Sequence, residues 1–217
     1  MRPIAIGTDD FKEIIESNSL FIDKTLFIKD IIDDTGKVLL FPRPRRFGKS
    51  LNMSMINYYF NNSYDSKYLF DGLNISKCED KYLMEMNKYP VISLSLKDCK
   101  ESSYLEFLNS FKNIIANLYD KYTYLLESDL IKEVDKKYFE RCLNYEEEEL
   151  LYLAINKLIK MLEIYYKEQV IVLLDEYDVP ILEGYLKGYY SEIINFMKKV
   201  FWKMFKLWRR RTFIFSN

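Results

Sequence analysis

An α/β fold, with a mostly parallel sheet held between layers of helices, is what this sequence predicts. Short aliphatic runs recur at residues 38–41, 90–96 and 170–174, and their Val, Ile and Leu content suits strands covered on both faces. Longer segments with apolar residues at helical spacing lie between them, so strand and helix alternate along the chain. Two of the runs also lead to chemistry-bearing residues, the first through a loop to Gly48-Lys49-Ser50 and the last directly to Asp175-Glu176. Open α/β sheets bind their ligands beyond the carboxyl ends of strands.

Taken in order, Thr8 or Asp9 is placed to cap a short helix over residues 10–17, with Phe11, Ile14 and Ile15 inward. A second helix fits residues 26–33, and Gly36 just beyond it suits a left-handed C-terminal cap. Residues 38–41 read as a buried strand that the Pro-broken loop after them cannot continue. Leu51, Met55, Tyr58 and Tyr59 then mark a helix that Gly48-Lys49-Ser50 opens. Residues 61–89 are polar and broken and read as irregular or short-helical surface. The second strand, 90–96, precedes a helical face of Tyr104, Leu108, Phe111, Ile115 and Leu118.

Residues 119–141 show no clear period. Asn144 reads as the start of a helix whose face is Leu151, Ala154, Ile155, Leu158, Ile159 and Leu162, with Glu146 to Glu149 as a charged first turn. The strand 170–174 follows, and Asp178 reads as a helix cap before it reads as a ligand. A last helix over 190–208 carries Ile193, Met197, Val200, Phe201, Met204 and Trp208. Arg209, Arg210 and Arg211 precede a short run in which Phe213 to Phe215 fits a strand beside residue 41 or 174.

Composition narrows the chemistry. With 217 residues, 49% hydrophobic and 30% charged, the chain is globular and long enough for one large core. A net charge of −1 supplies no overall field for nucleic acid or acidic membranes. Nineteen Tyr and fifteen Phe scatter along the chain, as core and rim residues do. Cys78, Cys99 and Cys142 form no CxxC pair, and residues 1–20 hold no secretory signal, so a cytoplasmic location is expected. No run is long enough to span a bilayer. There is no histidine, which excludes Ser–His and Cys–His nucleophile pairs and HExxH zinc sites within the chain. Carboxylate, lysine, arginine and hydroxyl groups remain, the set that phosphoryl transfer with Mg²⁺ uses.

Strand, loop, Gly-Lys-Ser and helix in that order is the setting of a phosphate-binding P-loop. The unpaired N–H groups at a helix start, and the dipole behind them, attract an anion. Gly48 would let the backbone come close, Lys49 reach the β- and γ-phosphates, and Ser50 ligate Mg²⁺, with Leu51 completing the turn. The usual pattern has a first Gly where Arg43 stands, and Arg43, Arg45 and Arg46 beside Phe47 would add positive charge there. Alone, these residues are equally an ordinary basic strand-to-helix turn, and Asp175-Glu176 equally a soluble strand end. Together, in order and with helices between, they point to a nucleotide site. Asp175 would hold Mg²⁺, and Glu176 would orient or deprotonate the attacking water.

The chain resembles the AAA-ATPase-like family of bacterial proteins, whose members often carry a C-terminal PD-(D/E)XK nuclease-type domain. The resemblance rests on Ile6-Gly7 with Asp10-Phe11-Lys12, on 21–29, on 41–52, on 69–76, on 88–92, and on 175–178 with Pro180-Ile181. It extends to about Lys199. It implies a P-loop NTPase fold of the AAA/ASCE type, three-layered, with ATP as the nucleotide, and the Arg-rich loop entry is a family trait. It also suggests that the Asp23-Lys24-Thr25 motif lies near the nucleotide. The domain expected is 1–217, with a helical segment over 1–37 and a nucleotide-binding core over 38–217, without the nuclease-type domain.

Beyond Phe201 the chain departs from the family's pattern, so a sheet incomplete at its C-terminal end is expected. Phe213 to Phe215 is a candidate sensor strand, with Ser216 or Asn217 as the sensor, and Ile214-Phe215-Ser216 is equally an echo of a motif that the family carries later. The expected activity is Mg²⁺-dependent ATP binding with hydrolysis that drives or regulates a partner. A nucleotide-binding module or truncated remnant without turnover, and a nucleic-acid-associated adaptor acting through a partner domain, are the alternatives. Related ATPases often complete the site with a neighbour's arginine, which makes a homo-oligomer a further expectation, with Arg209 to Arg211 as candidates.

Overall fold

The computed structural model describes residues 3, 7–36, 38–42, 48–144, 148–206 and 212–216. Strands β1 (Val38–Pro42), β2 (Val91–Ser95), β3 (Ile171–Asp175) and β4 (Thr212–Ser216) all pair in parallel, in the order β1-β4-β3-β2. The helices are α1 (Phe11–Glu16), α2 (Leu26–Asp33), α3 (Lys49–Phe60), α4 (Asp80–Leu83), α5 (Tyr104–Asp120), α6 (Glu133–Leu143), α7 (Glu148–Tyr166), α8 (Val179–Lys187) and α9 (Tyr190–Lys206). The fold is thus mixed α/β with a parallel sheet. The strand formed by the last residues pairs with both candidate neighbours, since β4 lies between β1 and β3.

Side chains alternate across a strand, so each strand serves two cores. Ile171, Leu173, Phe213 and Val91 pack with Phe11, Ile28, Met55, Ile56, Tyr59 and Phe60, from α1, α2 and α3. Val172, Leu174, Ile92 and Leu94 pack on the opposite side with α5, α6, α7 and α9. All five residues of β3 are buried, as a strand between two helix layers requires.

Several expectations are corrected. The first strand is not buried: β1 is an edge, and Val38 and Leu40 are 37% and 51% exposed while Leu39 and Phe41 turn inward. Residues 61–89 are not mere surface. Two 3₁₀ turns, Lys67–Phe70 and Asn74–Lys77, and α4 deliver Leu69, Phe70, Ile75 and Tyr82 to the core. The cap of α1 is Asp10, whose carboxylate accepts the Glu13 N–H at 3.0 Å, in place of Thr8 or Asp9. Asp34 in extended conformation ends α2, and Gly36 does not adopt the left-handed form. Asn144 closes α6 instead of opening the next helix. Helix α6 itself has a narrow apolar face, with Phe139 set against the Tyr119 ring at 4.7 Å. The Trp208 end expected for the last helix lies outside the described residues.

Asp23 and Thr25 turn out to be a latch between α2 and the 3₁₀ turn at Asn74–Lys77. The Asp23 carboxylate accepts the Thr25 N–H at 2.9 Å, the Thr25 hydroxyl at 2.7 Å and the Asn74 N–H at 2.8 Å. The buried Thr25 hydroxyl oxygen in turn accepts the Ile75 N–H at 3.1 Å. Burial pushes the Asp23 carboxyl up, but the hydrogen bonds from Thr25 and Asn74 outweigh it and hold its pKa below the ordinary 3.8. Its folded pKa is therefore depressed, and its stabilisation is fully present above the unfolded pKa and lost as pH falls through the folded one. Asp23→Ala is expected to cost about 2 kcal/mol at pH 7, since it strands two N–H groups. The cost should shrink below about pH 4. Urea unfolding of both forms at pH 7 and pH 3 checks this, and an equal deficit at the two values would refute the latch.

Cys78, Cys99 and Cys142 are free thiols, the last two buried. No described helix is long and apolar enough to cross a membrane.

Candidate functional site

Beyond the carboxyl ends of the strands lies a cleft of two adjoining lobes. The larger, about 520 Å³, is lined by Gly48, Lys49, Ser50, Leu51, Glu176 and Val179, with Thr8, Asp9, Lys97 and Lys100. The smaller, about 290 Å³, is lined by Asp175, Ser50, Ser54, Asn57, Ser93 and Ser95 among others, and shares Asp9, Ser50 and Lys97 with the first.

Gly48 caps α3 in left-handed conformation, φ +69°. A Cβ there would meet no atom within 4 Å, so the backbone angle and not crowding is what calls for glycine. The first bond inside the helix runs from the Asn52 N–H to the Gly48 carbonyl at 3.0 Å. The N–H groups of Lys49, Ser50 and Leu51 precede that bond in the first turn of the helix. These three residues line the larger lobe, at the positive end of the helix dipole. The Lys49 side chain is buried beside them.

Strand parity places Asp175. Ile171 and Leu173 point into the core shared with α3, and the next residue of that parity lands opposite Ser50 and Ser54. Asp175 is 5% exposed. Burial above all, and then the Glu176 charge, push its carboxyl up to about 6, against the pull of Lys49, the Glu176 N–H and Lys97. Its Oδ1 is buried with no hydrogen-bond partner among the described residues, an arrangement that costs free energy unless a further group binds there. Immediately after, Glu176 adopts φ +49°, a left-handed backbone that non-glycine residues rarely take. The kink ends the strand's alternation and lets Glu176 line the larger lobe beside Lys49. Strained backbone of this kind concentrates at functional sites.

The N-terminal segment is pinned onto α3. The Ser54 hydroxyl donates to Asp10 at 3.2 Å and accepts the Phe11 N–H at 2.9 Å, while the Tyr58 hydroxyl donates to Asp10 at 3.2 Å. That pinning sets Thr8 and Asp9 at the mouth of the cleft.

Among the described residues no group of three or more His, Cys, Asp or Glu is clustered to hold a metal. A cation here would rest on the orphaned Asp175 Oδ1, the Ser50 hydroxyl and oxygens of its ligand. Such a set suits a hard ion like Mg²⁺, which keeps few protein ligands.

Of the residues singled out in the sequence, Gly48, Lys49, Ser50, Leu51, Asp175 and Glu176 come together. Arg43, Arg45, Arg46 and Phe47 lie outside the described residues, as do Arg209 to Arg211 and Asn217. Asp23 and Thr25 line neither lobe. Asp178 stands at the N-cap of α8 but makes no capping bond, and its Oδ1 is buried without a partner among the described residues. Thr8, Asp9, Lys97 and Lys100 were not anticipated. For Lys97 a signal existed: it follows the second strand by two residues and shares the parity of Ser93 and Ser95.

A parallel sheet between helix layers, with a helix start and two carboxylates at a cleft beyond the strand ends, makes this an α/β protein of the open-sheet kind. The chain belongs to the AAA-ATPase-like family, described as predicted AAA-ATPase, whose model matches residues 5–215. Membership implies nucleotide binding. The match runs through α9 and β4, past the Lys199 limit of the resemblance seen in the motifs. No curated protein and no solved structure matches the chain.

Proposed function

We propose that this chain is a P-loop ATPase domain that binds ATP with Mg²⁺ in the two-lobed cleft and hydrolyses it to drive or regulate a partner. One observation carries the reading: Gly48 to Leu51 and Glu176 line one lobe, with Ser50 and Asp175 in the lobe adjoining it. The N–H groups at the start of α3 hold the phosphates, and the buried Lys49 ammonium adds charge at the same point. Ser50 Oγ and Asp175 Oδ1 are the groups that would hold Mg²⁺, which supplies charge neutralisation on the phosphate oxygens. The Glu176 carboxylate orients a water and takes its proton. The burial that pushes Asp175 up also lowers the local dielectric, so each of these contacts gains strength.

ATP binding and phosphate release on the purified protein, with and without Mg²⁺, test the proposal. Wild type is expected to release phosphate only with Mg²⁺, and Lys49→Ala to lose both binding and turnover. Tight binding without phosphate release from wild type would replace the ATPase with a nucleotide-holding module. No binding at millimolar ATP and Mg²⁺ would sink the nucleotide reading altogether.

A further inference from the structure

Lys97 borders both lobes of the cleft, whereas Lys49 and Lys100 border the larger alone. It arrives from the end of β2, an element the phosphate-binding helix start does not touch in sequence. Two hydrogen bonds from backbone N–H groups fix its base. The Leu96 N–H donates to the Asp175 carbonyl at 3.0 Å, and the Lys97 N–H donates to the Ser95 hydroxyl at 3.3 Å. Ser95 is also the register partner of Asp175. The Lys97 backbone therefore moves with the Asp175 backbone, while its side chain is exposed and its ammonium makes no ion pair or hydrogen bond among the described residues. An uncommitted cation on a fixed base, at the junction between the phosphate lobe and the carboxylate lobe, is placed for a polyanion that reaches from one into the other.

Resting on the nucleotide reading above, we propose that Lys97 contacts the terminal phosphate of ATP and makes the site distinguish ATP from ADP, supplying from within the chain a cation at that phosphate. The α- and β-phosphates lie at the α3 start, where Gly48 to Leu51 supply the contacts. The third phosphate extends toward Ser50 and Asp175, where the lobes meet and where Lys97 stands. Lys100, confined to the larger lobe, serves as the matched control.

Calorimetric titration of ATP and of ADP, each with Mg²⁺, into wild type, Lys97→Ala, Lys97→Arg and Lys100→Ala tests this. Wild type is expected to bind ATP more tightly than ADP. Lys97→Ala should weaken ATP about 10-fold or more, the worth of one charge-assisted hydrogen bond, and ADP less than about 2-fold. Lys97→Arg should restore most of the preference, and Lys100→Ala should keep it. The ligand-free melting temperature of Lys97→Ala should stay close to wild type, because the exposed ammonium makes no ion pair or hydrogen bond among the described residues and only its electrostatic pull on Asp175 is lost. An ATP preference unchanged in Lys97→Ala would overturn the proposal and leave nucleotide binding standing. Equal weakening of ATP and ADP would also overturn it, since a lysine that merely keeps Asp175 ionised affects both Mg²⁺-bearing nucleotides alike. Wild type that binds neither nucleotide would remove the site reading and this one together.

Discussion

Glu176→Gln is expected to lower ATP turnover about 10²–10⁴-fold and leave ATP affinity nearly unchanged. The amide keeps the shape of the side chain and can still contact a water, but it cannot take the proton. Asp175 and Ser50 stay in place, because neither owes its position to the Glu176 carboxylate: Asp175 is set by strand parity and Ser50 by the first turn of α3. The substitution also leaves the left-handed backbone with a side chain of the same length, so the folded state should lose little. One secondary effect has a definite sign. Removing the Glu176 charge takes away a cause that raises the Asp175 carboxyl, so that carboxyl should ionise at a lower pH than in wild type. Single-turnover kinetics beside equilibrium ATP binding, both with Mg²⁺, separate the two effects. Turnover within about 3-fold of wild type would remove Glu176 from the mechanism, whereas loss of affinity in step with turnover would make it a binding group.

The parts of this site that sequence reading reached are those whose physics is local. A run of five aliphatic residues ending in Asp-Glu has few alternatives to a buried strand with carboxylates at its tip, and β3 is buried throughout. The second helix, Leu26–Asp33, is where periodicity puts it because Ile28 and Ile31 sit one turn apart on its inner face. Other features depend on order in space. Val38 to Phe41 is as apolar as a central strand, and only the strand order makes β1 an edge with Leu40 in solvent. The segment 61–89 reaches the core through 3₁₀ turns, whose apolar residues follow no period long enough to detect. Thr8, Asp9, Lys97 and Lys100 are common residue types. They matter because two strand ends and the Asp10–Ser54 pinning bring them to one place.

Phe213→Ala should be the most costly single change in the sheet, at about 3–5 kcal/mol of unfolding free energy. Phe213 is fully buried and sits between Leu39 and Leu173 in register, with the Phe41 and Phe60 rings 6.4 and 6.3 Å away. Truncation leaves a cavity in the one strand that joins β1 to β3, and those two strands deliver Gly48 and Asp175 to the cleft. The damage should therefore reach the site as well as the core. With total stabilities of about 5–15 kcal/mol, the alanine form will be marginal, so Phe213→Leu, expected to cost about 1.5 kcal/mol or less, gives a second measurement. Leu40→Ala on the exposed face of β1 should cost well under 1 kcal/mol by comparison. Urea unfolding of the three forms ranks them. ATP with Mg²⁺ at about 100 times its dissociation constant should return about 2.7 kcal/mol to any form that keeps the site. Phe213→Leu should regain stability on nucleotide addition, and less of it than wild type, because the strand pair on either side of β4 no longer holds the phosphate and carboxylate halves at a fixed separation. Full nucleotide stabilisation of Phe213→Leu would show that the two halves of the cleft are held by α3 and its core alone, with β4 a passive filler between them.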